Sequence, residues 1–117
     1  MKDRKFFITD VGKKIKPSPI EAMIIKVLKD LKIDYYREIS FRDLNPTNTP
    51  NGYYRFDFYI PKIDTLLEYD GKNFHKTKKQ VAHDNIKNYY CTKNQIKLIR
   101  LVAKDIPFFI QILRSLT

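Results

Sequence analysis

The sequence predicts an α/β domain whose mixed sheet has about four strands with helices flanking it. Apolar residues recur at helical spacing over residues 20–31, and an aromatic-rich run at 54–60 is joined by a short turn to a second run at 64–70. A basic helical segment then precedes the apolar run 95–102. A strand reached through a helical crossover usually runs parallel to the strand before that helix. The sheet is therefore expected to combine antiparallel and parallel pairs.

The size of the chain allows one domain with one modest core. We expect residues 1–117 to form a single unit, with 17–117 as the core. Residues 1–16 would be a flexible or weakly ordered basic arm that either contacts phosphates or is simply solvated. No apolar run reaches the roughly 20 residues of a membrane-spanning helix. Cys91 stands alone, which excludes an internal disulfide framework and a cysteine-based zinc site. We expect a cytoplasmic protein without membrane contact.

The charge balance favours a polyanionic partner. Lys and Arg total 23 against 13 acidic residues, which gives a net charge of +10. Nucleic acid is the commonest partner for such an excess. The abundance of Lys, Ile, Asn and Tyr also fits an AT-rich genome, so charge alone leaves both explanations open.

The first predicted helix has a well-marked beginning. Ser18 suits the N-cap, Pro19 suits the first helical position, and Glu21 completes a capping box. The helix should end near Lys32. Glu21 therefore has a structural explanation, and it is also a candidate for an active site. The apolar stripe of this helix consists of Ile20, Met23, Ile24, Val27, Leu28 and Leu31.

Residues 34–41 are predicted as a strand, and 42–52, rich in Asn, Pro and Thr, as a loop. A hairpin follows. If Lys62 and Ile63 form the centre of its turn, Asp57 lies directly opposite Glu68. The hairpin would then have one core face and one face with paired carboxylates. The core face would carry Phe56, Phe58 and Ile60.

The opposed carboxylates predict either a shared proton or a bound cation. Like charges directly opposite on a sheet are destabilising, and two carboxylates at one place must share a proton or bind a cation. Carboxylates with a backbone carbonyl suit Mg²⁺. A register slip of one or two residues would separate Asp57 from Glu68, and neither a shared proton nor a bound cation would then be needed.

The second half of the chain is predicted to alternate helix and strand. Residues 76–93 are strongly basic with an imperfect apolar stripe, and 95–102 is a short apolar strand. Asp105 is a plausible N-cap for the last helix. The lysines that could hold backbone phosphates are Lys76, Lys78, Lys79 and Lys87.

Several local strings resemble a known group of enzymes. RFDFYIP, LLEYDGKNFH, HDNIKNYYC and IKLIRL are similar to the PD-(D/E)XK nuclease superfamily, in the branch of very-short-patch repair endonucleases and related homing endonucleases of the EDxHD type. The resemblance implies a restriction-endonuclease-like fold in the order αβββαβ plus a C-terminal helix. It also implies a metal-dependent endodeoxyribonuclease. The residues that match are Glu21, Asp57, His75 and Asp84.

One position departs from the superfamily pattern. A lysine is expected two residues after the second acidic residue, Glu68, where this chain has Asp70. Lys72 stands two residues further on. His75 could transfer the proton instead, because the ordinary pKa of imidazole lies near neutrality. Otherwise Lys72 or Lys87 would reach in from a neighbouring position.

The resemblance and the hairpin together predict a site for Mg²⁺, with Mn²⁺ as a substitute, held by Asp57, Glu68, the carbonyl of Tyr69, and Glu21. The catalytic set adds His75, Asp84 and Lys72. DNA is the expected partner, and a homodimer or a separate specificity subunit would extend a small recognition surface. The alternative is a catalytically inactive nucleic-acid-binding module of the same fold.

Overall fold

The computed structural model describes residues 4–71 and 76–117, and everything stated below concerns those residues. Two 3-10 turns, Pro61–Ile63 and Ala103–Asp105, join neighbouring elements. The helices and strands are, in chain order, β1 (Phe7–Ile8), α1 (Asp10–Lys14), α2 (Pro19–Asp30), β2 (Tyr36–Ser40), β3 (Arg55–Ile60), β4 (Thr65–Gly71), α3 (Lys78–Lys93), β5 (Lys97–Val102) and α4 (Ile106–Ser115).

The sheet has the order β1-β2-β3-β4-β5, with antiparallel pairs up to β4 and a parallel pair between β4 and β5. The predicted α/β class and mixed sheet are confirmed, and so is the parallel crossover through α3. The expected count of about four strands is too low by one, because Phe7 and Ile8 pair with Ser40 and Ile39 at the edge of the sheet.

The described part of the predicted basic arm is folded against the domain. Thr9 caps α1 by accepting a hydrogen bond from the Gly12 amide. Arg4 binds Asp64 through two nitrogens, at 3.0 and 2.7 Å, and donates to the carbonyls of Asn94 and Gln95. From Arg4 onwards the segment is therefore folded rather than weakly ordered, and the Arg4 guanidinium is directed into the protein. Lys5, Lys13, Lys14 and Lys16 remain exposed.

The hairpin register is as predicted, since Phe58 pairs with Leu67 and Ile60 with Thr65. The prediction that Phe56 shares a face with Phe58 is wrong. Phe56 packs in the cluster on the opposite face of the sheet, so the alternation of β3 breaks at Asp57. The regular pairing of β2 and β3 is interrupted at this same position.

Helices cover both faces of the sheet, so each face of the hairpin contributes to a core cluster. One cluster joins Ile24, Leu28, Phe58, Leu67 and Phe109 between the sheet and helices α2 and α4. The other joins Phe56, Tyr59, Leu66 and Cys91 beneath α3. Cys91 is buried, as expected for a small core residue.

The helix termini explain where the elements begin. α2 carries the predicted capping box between Ser18 and Glu21. α3 has a second one, between Thr77 and Gln80, so the helix begins at Lys78 and Lys76 precedes it. Among the described residues, no helix combines the length and apolarity needed to cross a membrane.

Candidate metal and phosphodiester site

Three carboxylates from different elements meet near the interruption between β2 and β3. Glu21 on α2, Glu38 on β2 and Asp57 on β3 each place an oxygen within 4.8 Å of the other two. Within residues 4–71 and 76–117 this is the one group of acidic, histidine or cysteine side chains with metal-binding spacing. Sequence reasoning selected Glu21 and Asp57 and missed Glu38.

Glu38 reaches the cluster through an unusual backbone conformation. Its φ is 53°, in the left-handed region that non-glycine residues seldom occupy. The residue is buried, with Arg55 Nε at 3.5 Å and Arg37 at 4.0 Å from its carboxylate. A lone carboxylate inside an apolar strand was the available signal, but alternation alone does not predict which neighbours it meets.

Glu21 combines the predicted capping role with a position in the carboxylate cluster. Its Oε1 accepts a hydrogen bond from the Ser18 amide at 2.9 Å, which completes the capping box. The same carboxylate belongs to the cluster with Glu38 and Asp57. The cap therefore fixes the orientation of a side chain that also faces the site.

The environment disfavours full ionisation of the cluster. Burial, and secondarily the charges of Asp57 and Glu21, raises the pKa of Glu38 to about 7. Burial, followed by repulsion from Glu68, raises the pKa of Asp57 to about 7, although the Tyr69 amide donates to Asp57 Oδ2 at 2.8 Å. A bound cation would relieve both effects.

Glu68 lies beside Asp57 but is paired with a lysine. Lys87 Nζ lies 2.5 Å from Glu68 Oε1 and also donates to the Arg55 carbonyl. Burial raises the pKa of Glu68, and the Lys87 charge opposes that shift. The third carboxylate of the cluster is therefore Glu38 and not Glu68. The Tyr69 backbone contributes its amide to Asp57.

Removing this ammonium should destabilise the fold. We expect Lys87→Ala to lower the free energy of unfolding by about 2–3 kcal/mol, because it leaves the Glu68 carboxylate buried without its cation. Lys93→Ala, at the end of the same helix, should change stability by less than about 0.5 kcal/mol. Urea unfolding of both variants measures the difference. Equal stability of Lys87→Ala and wild type would contradict the pairing.

Asp84 lies outside the carboxylate cluster, and the role implied by resemblance is not supported by its contacts. It accepts from Lys76 Nζ at 2.6 Å and Arg100 at 3.1 Å. Burial would raise the pKa of Asp84, but these two cations lower it. Lys76 also binds Asp70, so this lysine is part of an internal network of ion pairs.

Two carboxylates of the cluster, Glu38 and Asp57, line a cleft of about 740 Å³ together with Glu68. One wall is the segment before β3, where a Cβ at Gly52 would overlap the side chains of Thr47 and Asn45. The other wall is α3. Thirteen residues line the cleft, namely Glu38, Thr47, Thr49, Asn51, Gly52, Tyr53, Tyr54, Arg55, Asp57, Glu68, Lys79, His83 and Lys87.

The structure sorts the predicted DNA-binding lysines into different environments. Lys79 is exposed and lines the cleft, whereas Lys78 is exposed without lining it. Lys87 is inside the cleft against Glu68. The predicted catalytic residues His75 and Lys72 lie outside the described residues.

The donor set fits a hard divalent cation. Glu21, Glu38 and Asp57 offer only carboxylate oxygens, which suit Mg²⁺ and Mn²⁺. Their separation allows all three to contact one ion. Comparison with protein-family models, with curated proteins and with solved structures gives no match for this chain.

Proposed function

We propose that this chain is a metal-dependent endodeoxyribonuclease with a restriction-endonuclease-like core. The observation that supports the proposal best is the carboxylate cluster, two members of which line the cleft, with the Lys87 ammonium beside it on Glu68. Oxygen ligands adjoining a cation are the groups that phosphodiester hydrolysis needs, because its transition state accumulates negative charge on oxygen.

Glu21, Glu38 and Asp57 would hold the ion. When bound there, Mg²⁺ would polarise a phosphate oxygen and lower the pKa of a water molecule. The Tyr69 amide holds Asp57 in place through its hydrogen bond to Oδ2. Glu21 is similarly held by the amide of Ser18. These fixed orientations reduce the rearrangement required when ion and substrate enter.

Lys87 takes the place of the lysine that the superfamily pattern sets after the second acidic residue. It comes from α3, which packs on the sheet, and its Nζ contacts Glu68 on β4. In hydrolysis, water oxygen bonds to phosphorus, the bond to the leaving oxygen breaks, and that oxygen gains a proton. Lys87 would stabilise the charge on the reacting phosphate, and His75 remains the candidate for proton transfer.

A cleavage assay on supercoiled plasmid tests the proposal. We expect wild type to convert plasmid to nicked or linear form with Mg²⁺ or Mn²⁺, and to do nothing in EDTA. Glu38→Gln should cut at least about 10²-fold more slowly, because it removes one ligand charge from the cluster. Asp30→Asn is the matched control, since Asp30 is an exposed carboxylate that pairs only locally, with Lys26.

Two outcomes would redirect the interpretation. Metal-dependent cleavage by Glu38→Gln at the wild-type rate would remove Glu38 from the site. Binding of DNA by wild type without cleavage in either metal would identify the chain as a nucleic-acid-binding module of the same fold. A cleavage rate that rises with the square of the protein concentration would support a homodimer. Cleavage of all DNA substrates alike by the isolated chain would support a separate specificity subunit.

A further inference from the structure

Three nitrogen-bearing side chains form a row along one wall of the cleft. Lys79, His83 and Lys87 are spaced by four residues on α3, so they lie on one face of the helix, about 6 Å apart along its axis. All three line the cleft. Lys79 is exposed, His83 is half-buried, and the Lys87 side chain is 15% exposed against Glu68. The row thus leads from solvent to the carboxylates.

The imidazole in the middle of this row is held by an aromatic stack. The rings of His83 and Tyr54 have centroids 4.6 Å apart and planes within 15° of each other. Stacking covers one ring face and leaves the ring nitrogens at the edge of the stack. Even a neutral imidazole carries one N–H donor. His83 can therefore donate to an oxygen acceptor in the cleft.

The size and composition of the cleft select its occupant. A volume of about 740 Å³ is in the range of pockets for a small ligand, which favours one strand over a double helix as the occupant. The wall opposite α3 is uncharged, with Thr47, Thr49 and Asn51. A basic groove combined with stacking aromatics is typical of proteins that bind single-stranded nucleic acid.

We propose that the row of Lys79, His83 and Lys87 binds the backbone phosphates of one unpaired DNA strand and guides it to the carboxylates. His83 donates its N–H to a phosphate oxygen between the two lysines. The inference rests on the proposed function for the reaction at the inner end of the row. It adds a substrate-positioning residue, His83, and a substrate class, DNA that is single-stranded where it enters.

Binding without cleavage tests the row separately from the chemistry. Fluorescence anisotropy in EDTA would measure the affinity of a short oligothymidylate from low to physiological salt. Lys79→Ala should weaken binding about tenfold and reduce the salt slope by about 0.7, the value for one phosphate contact on a single strand. Lys93→Ala removes the same charge from the far end of α3, outside the cleft, and should leave both almost unchanged. Equal losses of DNA affinity in the two variants would contradict the proposal that the row binds phosphates.

Two substitutions at His83 distinguish the contribution of its N–H hydrogen bond from that of its stacked ring. His83→Phe keeps a ring for stacking on Tyr54 but has no N–H, and should weaken binding about five- to tenfold. His83→Gln keeps an N–H donor without the ring, and should bind within about threefold of wild type. Wild-type affinity in His83→Phe, or equal weakening in both variants, would mean that His83 only supports the cleft wall.

A duplex competitor completes the test. Fully paired DNA of the same length should compete at least about tenfold less effectively than the single strand, because strand separation costs a few kcal/mol. Equal competition would overturn the single-strand assignment. If wild type binds as described but never cleaves with Mg²⁺ or Mn²⁺, the nuclease proposal fails while the row stands. If wild type cleaves DNA but all row variants bind DNA as tightly as wild type, the nuclease proposal stands and the row proposal fails.

Discussion

Asp57→Asn should abolish DNA cleavage while leaving the fold at least as stable as wild type at about pH 8. The asparagine keeps the shape of the side chain and an oxygen that can accept from the Tyr69 amide. It removes one negative charge from a cluster that also contains Glu21 and Glu38. Metal assistance contributes several kcal/mol to such reactions, so we expect the rate to fall by about 10³-fold or more.

Plasmid nicking and thermal unfolding, measured on the same preparations, check both parts of this expectation. Asp30→Asn makes the same chemical change at an exposed position outside the cleft and should retain activity. Cleavage by Asp57→Asn at the wild-type rate would contradict the metal-site assignment. Loss of activity accompanied by a large loss of stability would show that Asp57 is mainly a structural residue.

The second large effect concerns the dependence of stability on pH. The pKa values of Glu38 and Asp57 are about 7 in the folded chain, whereas the ordinary pKa of a carboxyl group is about 4. Between those pH values the folded state binds more protons than the unfolded state. The free energy of unfolding therefore falls as pH rises from about 4 to 7, and the loss persists above that range.

The size of this effect should be of the order of 3 kcal/mol, since one pKa unit corresponds to about 1.4 kcal/mol. The shifts of Glu38 and Asp57 arise partly from each other, so their contributions are not additive. Urea unfolding of wild type, Glu38→Gln and Asp30→Asn across this range isolates the contribution of the cluster. Glu38→Gln should flatten the profile, and Asp30→Asn should follow wild type.

Addition of Mg²⁺ should restore the stability that the protein loses as the pH rises. Carboxylates must be deprotonated to bind the ion, so its stabilising effect should be larger at about pH 8 than at about pH 5. Thermal unfolding with and without Mg²⁺ measures this without any nuclease activity. Equal stabilisation of wild type and Asp57→Asn by Mg²⁺ at the higher pH would contradict binding at the cluster.

The sequence determined the features of this protein that depend on local chemistry. Ser18 and Glu21 define the beginning of α2 because each satisfies a backbone amide of the other. The turn around Lys62 and Ile63 sets the hairpin register, since the count outward from a tight turn leaves one pairing. A basic helix before an apolar strand was enough to predict the parallel crossover of β4 and β5.

The composition of the site was decided by the tertiary structure. Glu38 enters the cluster because its positive φ interrupts the pairing of β2 with β3, and strand alternation cannot predict such an irregularity. The direction of Lys87 depends on the rotation of α3 about its axis. Its apolar stripe is imperfect, so the sequence did not specify which side faces the sheet.

Packing of Cys91 and Tyr90 against the sheet settled that rotation. It placed Lys79 and His83 on the cleft, and left Asp84 in ion pairs with Lys76 and Arg100. Spacing along a helix determines which side chains share a face, but only contacts with the rest of the protein determine where that face points.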